Sequence, residues 1–140
     1  GVALALSNEK KEIAYPLTLA AFRNCIIAGS SSDEISGGRS KDSSIPFNYY
    51  FSYCLINSIE EKNDKIVNVI WKKDDNFQLI DKRGEQLYDF QLTPKSAAIN
   101  IGLADDARNY PQDLKGMPRL EDEAPDAGCY EWKEKTEENE

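Results

Sequence analysis

The chain contains no histidine. The side chain most often used as a general base near neutral pH is therefore missing, and Ser-His-Asp and Cys-His arrangements are excluded. Carboxylates, lysines, tyrosines and thiols remain. Acids stand side by side at Glu60-Glu61, Asp74-Asp75 and Asp105-Asp106. Neighbours on an extended chain point to opposite sides, so none of these pairs is a dyad by itself. A glycosidase would need two carboxylates facing each other across a cleft. Asp81, Asp89 and Asp105 are conceivable members, but nothing in their spacing singles them out. The run from Asp105 to Asp113 lacks the alternating oxygen ligands and central glycine of a calcium loop. Gly37-Gly38 is not followed by the lysine and hydroxyl residue of a phosphate-binding loop. These absences lead to the expectation of a non-enzyme, with no catalytic residues, cofactor or metal.

Three cysteines, Cys25, Cys54 and Cys129, are widely separated and form no Cys-x-x-Cys pair. Without histidine, a zinc site would need three thiolates and a carboxylate at unsuitable spacings. The cysteines read instead as disulfide candidates. A Cys25–Cys54 bridge would close a loop worth about 3.5 kcal/mol of unfolded-chain entropy. Pairing of Cys129 with either one would pin Tyr130 and Trp132 to the body of the fold. Such bridges imply an oxidising compartment, periplasmic or extracellular.

Charge is unevenly placed. The formal net charge is −8, and residues 121–140 carry nine acids against Lys133 and Lys135, a net of −7. The first 120 residues are close to neutral. There is no basic stripe for a phosphate backbone, so nucleic acid is not an expected partner. A basic protein partner fits, steered by Glu121, Asp122 and Glu123, with Tyr49, Tyr53, Tyr130 and Trp132 as contact aromatics. A membrane would be met only through a removed N-terminal segment. Ala3-Leu4-Ala5 has the small-x-small spacing of a signal cleavage site, but the same residues could be the stump of an anchor or a short first strand.

The elements that would position these groups read as α+β. Asn8 to Ala28 reads as a helix capped by Ser7, with Leu19, Phe22, Arg23 and Ile26 at helical spacing and Gly29 as its stop. Ser30 to Ser44 reads as a mobile Ser/Gly loop. Ser44 to Lys62 fits both periods: strict alternation places Phe47, Tyr49, Phe51, Tyr53 and Leu55 on one side of a strand. Capping by Ser44, a first-turn Pro46 and the length of the segment favour helix. Lys65 to Lys73 reads as a strand, and Asn76 to Leu92 as a hairpin turning near Lys82-Arg83-Gly84-Glu85. Ser96 to Ala104 reads as a fourth strand. Pro111, Pro118 and Pro125 then enforce an irregular wrap. The expected architecture is two N-terminal helices packed on a four-stranded antiparallel meander. One domain would span 1–132, and an acidic tail 133–140.

Two functions from different classes follow. One is a non-enzymatic periplasmic or secreted interaction protein, such as an inhibitor or immunity-type protein that grips a basic partner. The other is a structural subunit of a surface filament or secretion system. Its layout of helix, loop, antiparallel sheet and cysteine-bearing C-terminal region is similar to that of pilins and pseudopilins, with the hydrophobic N-terminal helix removed. No motif residue carries over from that likeness.

Overall fold

A computed structural model describes residues 1–80, 84 and 87–134. The chain divides into two units, Gly1–Lys73 and Asp74–Glu140.

The first unit is built from short strands. They are β1 (Leu4–Ser7), β2 (Glu9–Lys10), β3 (Ile13–Ala14), β4 (Leu17–Arg23), β5 (Ile26–Ile27), β6 (Ile35–Gly38), β7 (Phe47–Ser52), β8 (Leu55–Ile56), β9 (Ile66–Val67) and β10 (Ile70–Trp71). Three parallel ladders run through it: β4-β7-β9, β5-β8-β10 and β1-β6. The chain therefore winds in stacked coils. Each passage from the first ladder to the second turns a corner on one residue in the left-handed region: Asn24 (φ 51°), Tyr53 (φ 53°) and Asn68 (φ 51°). Asparagine tolerates that conformation better than most residues, and two of the three corners use it. Backbone bonds tie the corners together. Asn24 N–H donates to Ser52 O at 3.2 Å and Tyr53 N–H to Val67 O at 3.0 Å. Leu55 N–H donates to Cys25 O at 2.9 Å and Ile70 N–H to Cys54 O at 2.9 Å.

Each coil sends three residues inward, at i, i+3 and i+5: Phe22, Cys25 and Ile27, then Phe51, Cys54 and Ile56, then Ile66, Val69 and Trp71. With Leu4, Leu6, Ile35 and Tyr49 they form the core of the unit. Phe22 and Phe51 stack with ring centroids 5.1 Å apart. Buried polar groups close the loops around this core. Glu34 accepts from the N–H groups of Ala3 and Ser31, and Asn8 accepts from Ser40 N–H while donating to Pro46 O.

In the second unit, β11 (Phe77–Leu79) pairs antiparallel with β12 (Asp89–Leu92) through an irregular register. One short helix, α1 (Ala104–Ala107), follows. The remainder is held by turns, by the isolated Gln112–Pro118 bridge and by side-chain-to-backbone bonds.

The α+β expectation is thus corrected to a nearly all-β chain whose larger sheets are parallel. Neither N-terminal helix exists. Residues 9–27 form β2, β3, β4 and β5, because inward Ala20 and Phe22 alternate with exposed Ala21 and Arg23; Leu19, placed on the helical face, is 64% exposed. Residues 47–56 form β7 and β8, following the alternation rather than the caps. The Ser/Gly loop contains β6, since Ile35 supplies an apolar side chain that packs beside Leu4. Among the described residues there is no four-stranded antiparallel meander; of its expected strands only the arms of the 76–92 hairpin pair antiparallel, as β11 and β12. The 65–73 strand breaks at Asn68 into β9 and β10, which join parallel ladders. Ser96 to Leu103 is turns and irregular chain, with Asn100 at φ 56°, and Ala104 begins α1. The hairpin turn near Lys82-Arg83 lies outside the described residues, apart from Gly84, and so does Asp81.

Candidate functional site

The first unit contains a cavity of about 350 Å³ among its coils, within the range of roughly 300–1,000 Å³ typical of ligand pockets. Phe47, Tyr49 and Phe51 reach it from alternate positions of β7, with Trp71 from β10, Ile66 from β9, and Leu6 and Ile35 from β1 and β6. Alternation on β7 delivers the three aromatics, and stacking of the coils brings Ile66 and Trp71 beneath them. Adjacent rings are tilted at 5.6 Å (Phe47–Tyr49) and 5.8 Å (Tyr49–Phe51). The lining also includes the Ser36-Gly37-Gly38 stretch, Ser58, Ile59, and two carboxylates, Asp33 and Glu61, but no lysine or arginine. The nearby ammonium of Lys65 is engaged: it donates to Phe47 O at 3.1 Å and lies over the Tyr49 ring at 5.1 Å.

Of the expected contact residues, Tyr49 lines this cavity and Tyr53 forms a coil corner. Tyr130, Trp132, Glu121, Asp122 and Glu123 belong to the second unit. Glu121, Asp122 and Glu123 are exposed, with Glu121 ion-paired to Lys133, and Lys115 lies over the Tyr130 ring at 5.8 Å. Outside the aromatic run of β7, sequence reasoning missed the lining, Trp71, Asp33 and Glu61 among it. No local pattern marks them, because coil stacking assembles them.

The disulfide expectation is corrected: Cys25, Cys54 and Cys129 are free thiols. Cys25 and Cys54 do come together, as neighbours one residue before the Ile26–Leu55 register. In-register parallel strands hold side chains roughly 4.8 Å apart and pointing the same way, whereas a disulfide requires Cβ atoms converging to roughly 3.8 Å. The two sulfurs form a hydrogen-bonded pair instead. That bond lowers Cys25 to about 7 against the opposing effect of burial, and together with burial it raises Cys54. The oxidising compartment inferred from disulfides loses that support.

Another arrangement replaces sulfur in fixing the C-terminal segment. Arg119 pairs with Glu131 at 2.5 Å, both nearly buried, and donates to Gly128 O at 3.2 Å. Asp126 accepts from the N–H groups of Asn100 and Trp132, at 2.8 and 2.6 Å, and its own N–H donates to Glu131 Oε2. Asp113 accepts from Lys115, Met117 and Glu131 N–H. Burial would raise Asp113, but these three donors outweigh it and hold the carboxyl low. Burial raises Asp126, and burial with the neighbouring Asp126 charge raises Glu131 to about 7 despite Arg119. Because these carboxylates are directed at backbone donors, the network is structural.

Among the described residues, no three or more Cys, Asp or Glu side chains are placed to hold a metal ion, and no helix is long and apolar enough to cross a membrane. No family model matches the chain, and no curated protein or solved structure is significantly similar to it.

Proposed function

We propose that the chain is a non-enzymatic interaction module that receives a basic, partly apolar segment of a protein partner in the aromatic cavity of its first unit. The observation that carries this reading is the lining itself: Phe47, Phe51 and Trp71 supply apolar contact, while Asp33 and Glu61 add negative charge without a basic side chain among them. Aromatic anchors contribute most of the affinity in typical interfaces, and carboxylates beside them favour cationic partners. A chain without histidine also lacks the usual means of proton transfer near neutral pH. The filament alternative loses the likeness of layout that suggested it, because residues 9–27 form strands.

Panning a random peptide library against the immobilised chain tests the reading. Selected peptides should be enriched in lysine or arginine beside large apolar residues, and should bind Asp33→Asn/Glu61→Gln chain more weakly and with less salt dependence. Absence of selected peptides, or selected peptides indifferent to both this variant and Phe47→Ala, would remove the proposal.

A further inference from the structure

We infer that the cavity is a strand-docking site, where an extended partner segment pairs with the outer edge of β6 and turns alternate side chains into the aromatic interior. The inference deepens the binding reading above and rests on it. Its starting point is the course of the second coil. After β8 the chain begins to run beside β6: Glu34 N–H donates to Asn57 O at 3.0 Å, and Ser58 Oγ accepts from the N–H groups of Glu34 and Ile35 at 2.9 and 3.0 Å. Pairing then stops. Among the described residues, β6 forms a ladder with β1 alone. The cavity lies where that third side would continue, with Ser36, Gly37 and Gly38 of β6 and Ile59 and Glu61 of the departing segment in its lining.

Three features select an extended peptide. An edge strand offers a series of backbone donors and acceptors, and another backbone satisfies such a series directly. The edge ends in Gly37-Gly38: the backbone approach at Gly37 is made by Leu6 of β1, whereas a methyl group at position 38 would meet nothing within 4 Å, so the space beside Gly38 is open to another backbone. Finally, the period-two geometry of a strand sends every second side chain inward, where Phe47, Phe51, Ile66 and Trp71 supply apolar contact, while Asp33 and Glu61 favour lysine or arginine between them. A sugar or planar heterocycle could use the rings but would leave the β6 edge unmatched.

The probe is a short synthetic peptide in which lysines alternate with leucine and phenylalanine; a peptide of the same composition in block order is the reference. In the full chain carrying Trp132→Phe, Trp71 is the sole tryptophan and reports on the cavity. Trp71 emission should titrate with the alternating peptide at lower concentration than with the block peptide. N-methylation of the peptide amides, one at a time, should weaken binding about fivefold at every second position and little between them, the loss expected for one backbone hydrogen bond. Hydrogen exchange across 35–38 should slow in the complex. Uniform tolerance of N-methylation, unchanged exchange, or preference for the block peptide overturns strand docking and leaves the binding reading standing. If neither these peptides nor the library yields a ligand, both proposals fall.

Discussion

Replacing Arg119 with methionine should destabilise the second unit by an amount that depends on pH, and the direction of that dependence tests the account of the C-terminal network. Methionine keeps much of the side-chain length but removes the charge. Arg119 makes two contacts, one to Glu131 and one to Gly128 O. Glu131 is raised in the fold to about 7 from an ordinary 4.5. A folded-state pKa above the unfolded one contributes stability that is fully present below pH 4.5 and lost as pH rises through about 7. That contribution amounts to about 3 kcal/mol, since each tenfold change in proton affinity is worth roughly 1.4 kcal/mol. At pH 5 Glu131 is mostly neutral in the fold, so Arg119→Met loses mainly hydrogen bonds, about 1 kcal/mol. At pH 8 Glu131 is ionised beside Asp126, and removing its cation forces the buried carboxyl to take up a proton one unit above its folded value, adding up to about 1.4 kcal/mol to the loss at pH 5. Urea unfolding followed by Trp132 emission in a Trp71→Phe background measures both values. Equal losses at pH 5 and pH 8 would refute the assignment of Glu131 as the titrating partner.

Other consequences are open to direct measurement. Alkylation of Cys25 by iodoacetamide should follow a titration midpoint near 7, with Cys54 far slower, read by peptide mass mapping; a midpoint at an ordinary thiol value would show that the sulfur pair is not formed. Denatured but unreduced protein should react with Ellman's reagent at Cys25, Cys54 and Cys129 alike, because all three are free. Asn68→Val should cost about 1–2 kcal/mol in urea unfolding, since a β-branched residue is strained at φ 51°, whereas Asn68→Gly should be nearly neutral. Gly37→Ala should cost about 3 kcal/mol and release β1, because position 37 has φ 124° and a methyl there would lie 1.6 Å from the Leu6 carbonyl oxygen.

The coils explain why much of the fold is not legible in the sequence. Their inward residues recur at i and i+3, as in Phe22 and Cys25 or Phe51 and Cys54. That is the spacing of one face of a helix, yet here it arises because a left-handed corner residue shifts the phase of two short strands. Strand alternation was visible at Phe47, Tyr49 and Phe51, where no corner intervenes. The coils also leave a repeat in the sequence: Asn24-Cys25-Ile26-Ile27, Tyr53-Cys54-Leu55-Ile56 and Asn68-Val69-Ile70-Trp71. Its copies stand 29 and 15 residues apart, so no fixed period exposes it. The unequal spacing bears on the cavity as well. Between the first two copies the chain has room for β6; between the last two it has about half that length and forms no counterpart strand. The same shortening that hid the repeat thus leaves the side of β6 open and sets Ile59 and Glu61 apart from it. Net charge treats Asp126 and Glu131 as solvated, whereas the fold turns them inward to backbone N–H groups and Arg119, so the role of an acid follows from the donors that long-range folding brings to it.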